Sequence, residues 1–593
     1  MKASDYIAEF IAKQNVKHVF CVTGGCIVHT LDSISNRNDI TIVPVQHEQA
    51  GAMAAEAYSR VSDNLGVMIT TSGPGATNLL TGTCCSYYDS IPVLNITGQV
   101  AKDQMKGDTG CRQVGFQETG VVDIYRSVTK YADLVDKAED LRYKLEKAAY
   151  VAKEGRPGPV FLDICDNVQQ AQIDPKSLRP YNPEPKRKDT RSLDSIIDQT
   201  FSLLERAKRP VVIIGAGVKL AEAVKEAKSF VEKLGFPIAP TWGAMDFIPY
   251  NHNLMISPFG ITSHRAGNFA VQNSDLILAL GTRLDTHEVG PKPSTFARGA
   301  KKIVLDIDKS ELQKYEKVGM HVDIPILADV RDFFSRSFRR LESFVSQDIS
   351  EWKNYIRDLK KEFPICPPDY YKRKKQVDPY VFMDALSRNT KGNEFIIPDC
   401  GGNLIWTMQG LKLKDEQKLF TSFNHSPMGY AVPAAMGAAF ATTKPIICIT
   451  GDGGMQMNIQ ELATISHYKQ QVKIFLMNNH GHGIIKQTLR TRVSGKYVGV
   501  DDKSGLGIPN LRNVTEAYRI PTLYVGSHRE LDCVVKETLR CRGPILCEVD
   551  INHEHEMIPK LASNRPYIED CAPFLPDAEF SKWMRYISPI SRK

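Results

Sequence analysis

No apolar run in this 593-residue chain approaches the roughly 20 residues that a membrane helix needs, so no spanning segment is expected. The 13 cysteines are scattered, with Cys84-Cys85 adjacent and no CxxC pair. An odd number without framework spacing argues against a disulfide scaffold and against cysteine-held zinc, and for reduced thiols in a cytoplasm. Met1-Lys2-Ala3-Ser4-Asp5-Tyr6 enters a charged amphipathic helix at once, so no signal peptide is expected. Tandem repeats are missing too. The net charge is only +7, and much of it is local, in Lys186-Arg187-Lys188 and Lys372-Arg373-Lys374-Lys375. No aromatic-interleaved platform accompanies these runs, which disfavours nucleic-acid binding. They read as solvated interdomain linkers, 175–190 and about 363–376.

What is present is an ordinary globular composition, 42% hydrophobic and 24% charged, in a chain too long for one core. About three domains are expected at this length. The boundaries read as 1–174, 191–345 and 376–560, followed by a C-terminal tail, 561–593. The expected class is α/β, with three doubly wound parallel-sheet domains of which the first and third are structural cousins.

Two marks in the C-terminal third carry the most chemistry. Gly451-Asp452-Gly453-Gly454 follows the apolar run Ile446-Ile447-Cys448-Ile449, and Asn478-Asn479 follows Ile474-Phe475-Leu476-Met477. Each run reads as a buried parallel strand, and 457–467 between them reads as a helix. Ligands of nucleotide-like shape sit at the carboxyl ends of such strands. Asp452 and Asn479 offer a carboxylate and an amide oxygen, the donors that a hard cation such as Mg²⁺ takes while it bridges phosphates. The glycines let the backbone approach a diphosphate. The plain alternative is two βα turns of an ordinary sheet, since Asp-Gly pairs are common turns.

The N-terminal third has a matching set. Thr41-Ile42-Val43-Pro44-Val45 reads as a strand, followed by Gln46-His47-Glu48 and an Ala-rich helix over 49–60. Glu48 thus stands at a strand's carboxyl end and a helix start, where a lone Glu usually just meets the dipole. Thr71 to Asn78, with Gly73-Pro74-Gly75 inside it, follows a strand over 66–70 and opens another helix. Gly24-Gly25, after a strand over 19–22, is a third such turn.

GDG followed some thirty residues later by NN resembles the thiamine diphosphate (ThDP) motif. The resemblance extends from about Ser4 to about Asp550 and is to the acetolactate synthase branch of ThDP enzymes. It is carried by His47-Glu48-Gln49, Thr71 to Leu79, Ile96-Thr97-Gly98-Gln99, Gly115-Phe116-Gln117-Glu118, Gly155-Arg156-Pro157-Gly158-Pro159 and Met457 to Leu462. It implies that Glu48 shares a proton with the aminopyrimidine ring, favouring the imino tautomer that takes the thiazolium C2 proton. Gly24, Gly25, Pro74 and Asn78 would lie near that ring, with Phe116 and Gln117 as catalytic neighbours. Gly402, Asn403, Gly451, Gly453, Gly454 and Ile484 would hold the cofactor, and Asp452, Asn479 and the Gly481 carbonyl would bind Mg²⁺. Met428 would prop the cofactor in its bent form; a core-filling methionine is the alternative. The resemblance also implies a two-chain active site, hence a homodimer or a tetramer, and leaves a regulatory subunit open.

In that family the middle domain holds FAD without a redox role. Gly215, Arg283, Asp285 and Asp306 fall on flavin-contacting segments, whereas the family's Met-His-Gly contact falls on Ile261-Thr262-Ser263 and a second Arg falls on His287. A bound FAD and a flavin-less domain of the same fold both remain open. The acceptor side also departs from the family. Gln487 matches, but Thr488 stands where the synthases carry Trp, and Asp166 where they carry Lys. The polar stretch 102–113 resembles an insertion near the entrance. It is a solvated loop, or else Lys106 and Arg112 hold an anionic acceptor such as a sugar nucleotide. The implied reaction is decarboxylation of a 2-oxo acid such as pyruvate and ligation of the acyl unit to an acceptor carbonyl. A simple decarboxylase or oxidase and a non-catalytic paralogue are the rivals. Branched-chain amino-acid and surface-polysaccharide pathways are both open.

Overall fold

The computed structural model describes residues 1–184, 190–373, 375–493, 495–563 and 565–587. The basic run 186–188 and Lys374 lie outside the described residues. Among those residues, no helix is long and apolar enough to cross a membrane.

Three parallel sheets follow one another along the chain. The first holds β1 (His18–Cys21), β2 (Thr41–Pro44), β3 (Gly66–Thr70), β4 (Val93–Gln99), β5 (Tyr131–Val135) and β6 (Val160–Cys165), in the order β2-β1-β3-β4-β6-β5. The second holds β7 (Pro210–Ile214), β8 (Ile238–Pro240), β9 (Leu276–Leu280), β10 (Lys301–Asp306) and β11 (Ile324–Leu327), in the order β11-β10-β9-β7-β8. The third holds β12 (Phe395–Pro398), β13 (Lys418–Leu419), β14 (Ile446–Gly451), β15 (Val472–Asn478), β16 (Thr522–Val525) and β17 (Ile545–Asp550), in the order β13-β12-β14-β15-β17-β16. First and third sheets therefore share one topology. In each, the order reverses between the first and third strands, and the crevice at that switch point is where α/β sheets bind ligands.

The strand patterns follow from position. Central β3 and β4 are buried along their whole length, because helices cover both faces of a parallel sheet and an unbroken apolar run suits both. Edge strands β2 and β16 keep exposed residues, as one side meets solvent.

Two Ala-rich helices, Glu48–Ser62 and Ala431–Ala441, fasten the first domain to the third. Their backbones approach so closely that a Cβ on Gly437 would stand 2.1 Å from the Ala54 carbonyl oxygen. A charged seam runs beside them. Tyr430 donates to Glu56, Arg60 pairs with Glu56, and Arg60 Nη2 lies 2.7 Å from Asp89.

Three expectations change. The helix expected over 457–467 is broken: Asp452–Met457 and Leu462–His467 are separate, joined by the short Ile459–Glu461 turn. Asn458 interrupts it with φ −138°, its side chain donating to the Gly429 carbonyl at 2.8 Å. The central core extends past residue 345, since the helix Ser350–Glu362 contributes Trp352, Tyr355 and Leu359 to it. The C-terminal segment is no free tail, because Phe580, Trp583 and Met584 join that same core. Its buried Glu569 accepts from Gln272 at 2.6 Å and pairs with Arg298 at 2.8 Å.

Candidate active site

At the third sheet's switch point, β12 and β14 end side by side. β14 runs into Asp452, the first residue of the Asp452–Met457 helix, with its side chain 1% exposed. Asp452 accepts from Gly453 N at 2.9 Å and Gly481 N at 2.7 Å, and burial pushes its carboxyl up to about 6. A cation beside it would favour the charged form. Asn479 is buried just past β15, and Gly481 takes φ +134°, with Val500's carbonyl filling the space where a side chain would go. A Cβ on Gly453 would lie 2.6 Å from the His482 ring and 3.2 Å from Met428 Cε, so the fold brings these three residues together. From the other strand end, Asn403 places Oδ1 3.1 Å from the site of a Gly451 Cβ and donates to the Asp399 carbonyl at 2.8 Å. Gly402 begins the same helix, Gly402–Gly410. Ile484 stands half-buried in the first turn of the Gly483–Arg492 helix.

Asp399 was not anticipated. Fully buried, it accepts from Cys400 N (2.7 Å), Gly429 N (2.9 Å) and Thr450 Oγ1 (3.0 Å), and burial pushes it up to about 6. It ties both strand ends to the turn after Met428. Phe395 to Gly402 repeats the apolar-run, Asp, Gly pattern of 446–453, a signal that could have found it.

The donor set suits the expected ion. Among the described residues no three His, Cys, Asp or Glu cluster in a metal-binding arrangement. One carboxylate, one amide and one carbonyl oxygen would leave a hard cation open positions for phosphate, as Mg²⁺ requires and zinc does not. The backbone N–H groups of Gly453 and Gly454 open a helix, the usual seat of an anion.

At the first sheet's switch point, Glu48 begins its helix, 9% exposed, and accepts from Asn78 Nδ2 at 2.9 Å. The turn after β1, with Gly24-Gly25, is linked to the turn after β3 by Cys26 N donating to Thr71 Oγ1 at 3.3 Å. Gln117 takes φ +63° and packs its backbone over Gly73, next to Pro74, while Phe116 stands 84% exposed. Glu118 fixes that loop by accepting from the backbone N–H of Lys106, Val114 and Gly115. Lys106 is half-exposed and Arg112 exposed on the same loop. Glu48's bond stays within the first domain and those of Asp452 within the third.

On the acceptor side, the Gln487 amide is held by the Met557 backbone, donating to its carbonyl and accepting from its N–H at 3.2 Å each, with one N–H and one lone pair left over. Thr488 turns its hydroxyl back to the Ile484 carbonyl at 2.8 Å. Asp166 begins a short helix, Asp166–Gln170, accepts from Gln170 Nε2 at 2.6 Å and faces His29 at 3.8 Å.

Three family models match consecutive parts of the chain: the thiamine pyrophosphate enzyme N-terminal TPP binding domain over 1–124, the central domain over 197–336 and the C-terminal TPP binding domain over 399–549. The chain is 31% identical over 572 residues to acetolactate synthase 1, chloroplastic, of Nicotiana tabacum, covering 95% of this chain and 83% of that one. It is 32% identical over 560 residues to the acetolactate synthase isozyme 1 large subunit of Escherichia coli (strain K12), covering 94% and 95%. The chain belongs to the acetolactate synthase family of thiamine pyrophosphate enzymes. It is a ThDP-dependent, acetolactate synthase-like enzyme.

This acetolactate synthase-like chain also has a cavity of about 1330 Å³ where its three domains meet, larger than the ~300–1,000 Å³ of ordinary small-ligand pockets. Gly217, Arg283, Asp285 and Asp306 line it, and so does Arg156 of the first domain. Gly215 does not. It stands behind the wall, where a Cβ would meet the Gly281 carbonyl at 2.2 Å, so its role is the close approach of β7 and β9. Asp285 caps a short helix, accepting from His287 N and Glu288 N. His287 lies against Trp242, ring centres 4.2 Å apart, and shares a 2.9 Å bond with Thr262 Oγ1. Burial pushes Asp306 up to about 6; burial and then Asp285 push Glu288 up to about 8.

Proposed function

We propose that this enzyme binds ThDP with Mg²⁺ and decarboxylates a 2-oxo acid, pyruvate first among them, ligating the acyl unit to an acceptor carbonyl. With a second pyruvate the product is 2-acetolactate. The observation that carries this reading is the pair of switch points, Glu48 at one and Asp452 with Asn479 and Gly481 at the other, on sheets of one topology. Asp452, the Asn479 amide and the Gly481 carbonyl would hold Mg²⁺, and the N–H of Gly454 in the same first turn would receive the diphosphate. Bound ThDP supplies an electron sink for the bond broken in decarboxylation. Glu48, held by Asn78, would share a proton with the pyrimidine ring of bound ThDP, and Met428 would support the cofactor from the wall beside Gly453. Gln117, packed over Gly73 beside Pro74, and the neighbouring Phe116 would stand near the pyrimidine end.

Each chain carries two half-sites, so the working unit is at least a C₂ dimer in which Glu48 of one chain serves the Asp452 site of the other. An active monomer in sedimentation velocity would contradict this. The central cavity suits a dinucleotide such as FAD, with Asp306 at a strand end and Arg156 and Arg283 on the wall. The 13 cysteines form no disulfide among the described residues, which supports a reducing, cytoplasmic setting.

A second reading concerns the acceptor. Thr488 in place of a large aromatic widens the pocket, and Lys106 and Arg112 offer cations on the entrance loop, which favours an anionic acceptor such as a keto-sugar nucleotide. Product analysis after incubation with pyruvate, ThDP, Mg²⁺ and a panel of acceptors tests both. Absence of CO₂ release under all conditions would instead favour a non-catalytic paralogue.

A further inference from the structure

The turn that carries Met428 is pinned at both ends. At its far end, Gly429 N donates to Asp399 at 2.9 Å. At its near end, Asp89 of the first domain accepts from Phe423 N at 2.9 Å, Asn424 N at 3.0 Å and Asn424 Nδ2 at 2.6 Å. Arg60 backs Asp89 from behind, and the His425 ring stacks on Tyr88 at 5.6 Å. Between the pins lie Ser426, in the left-handed region at φ +49°, and Pro427. So short a span, with one proline, has little slack to absorb movement of Asn424 before it reaches Met428.

Asn424 has two more partners, the first being the Tyr88 carbonyl, to which its Nδ2 donates at 3.3 Å. Its Oδ1 accepts from Arg283 Nη2, and the same nitrogen lies 3.3 Å from Asp285 Oδ2. Arg283 and Asn424 both line the large cavity. The guanidinium's Nε and Nη1 make no hydrogen bond among the described residues, so an edge of its fork is left for a ligand phosphate.

We infer that Arg283 and Asn424 couple the two sites, so that a nucleotide diphosphate held in the cavity tightens ThDP binding by setting the position of Met428. Asn424 is then a positioning residue for Met428, although it lines the cavity beside Arg283. A phosphate on the free edge of Arg283 orders its side chain, and the ordering cost is met once for both the phosphate contact and the Asn424 contact. The sign is therefore cooperative, and by linkage each ligand raises the other's affinity by the same factor. This rests on the cavity being a nucleotide site.

The test titrates ThDP at saturating Mg²⁺ into the full-length apoprotein by calorimetry, with and without saturating FAD, and then FAD with and without ThDP. The expected result is an affinity gain of about five-fold or more in both orders. In Asn424→Ala, titrated at FAD concentrations that saturate the variant, the gain in ThDP affinity should fall below about two-fold. Two outcomes would overturn the coupling alone: FAD that binds the wild type without changing ThDP affinity, and an Asn424→Ala protein that keeps the full gain. Failure of FAD to bind at all would overturn the nucleotide reading and the coupling with it. If the variant does not fold, the two wild-type titrations still decide.

Discussion

The first and third sheets have the same strand order and opposite chemistry at the same place. In the third, the strand end at the reversal leads into glycines and a carboxylate, which suits a metal and a diphosphate. In the first, the corresponding region presents a single Glu at a helix start, held by one amide. A shared topology thus supplies a crevice at each sheet, and the side chains at its rim set the chemistry it offers. Removing the rim residues one at a time should produce effects of different kinds.

The largest effect is expected at Asp452. Asp452→Ala removes the one carboxylate of the metal site, and Mg²⁺-dependent ThDP binding should fall by at least about 10²-fold. Calorimetry showing wild-type affinity would end the metal assignment. Glu48→Gln keeps shape but cannot share a proton with the ring. ThDP should still bind, while hydrogen exchange at C2 slows by about 10²-fold. Deuterium uptake at the wild-type rate would mean that another group activates the cofactor.

Asp399 is expected to matter less, through position. Asp399→Ala leaves the N–H groups of Cys400 and Gly429 and the Thr450 hydroxyl without their acceptor, at about 1–3 kcal/mol. A roughly ten-fold weaker ThDP affinity with a lowered Tm should follow, since 1.4 kcal/mol is a factor of ten; an affinity unchanged at lowered Tm would make Asp399 purely structural.

The smallest effect is in the first sheet, where Asp163 is the buried carboxylate between β4 and β6. It accepts from Thr97 at 2.7 Å and Gln99 at 2.8 Å, and burial pushes it up to about 7. An acid raised on folding binds a proton in the native state that the unfolded chain has already lost. Its contribution therefore falls as pH rises from about 4 to 7 and is constant beyond. Asp163→Asn lacks that loss, so its Tm relative to wild type should climb across this window. A pH-independent difference would show that Asp163 is not the titrating group.

Local patterns were legible because they depend on neighbours in the chain. An apolar run before Gly-Asp-Gly has to be a strand leaving the core into a tight turn, whatever surrounds it. The same holds for Glu48 between a strand and an Ala-rich helix, and for the three-domain division. What could not be read were contacts made across long sequence separations. Gln487 is held at both ends of its amide by Met557, 70 residues on, a contact its own neighbours do not announce. Residues 457–467 have helical composition, but Asn458 spends its side chain on Gly429, and the helix breaks there. Asp399 was missed although its motif mirrors that of Asp452.

The sequence by itself determined the class of enzyme and the strand-turn-helix segments that carry the proposed site residues, since a strand, its turn and the following helix start are short-range structures with their own chemistry. Only the tertiary structure decided how these pieces are held. It closed a large cavity between three domains, docked the C-terminal segment onto the central core, and set Arg283 against Asn424. Those arrangements come from packing between elements hundreds of residues apart, where the partner of each buried polar group is chosen by geometry and not by chain order.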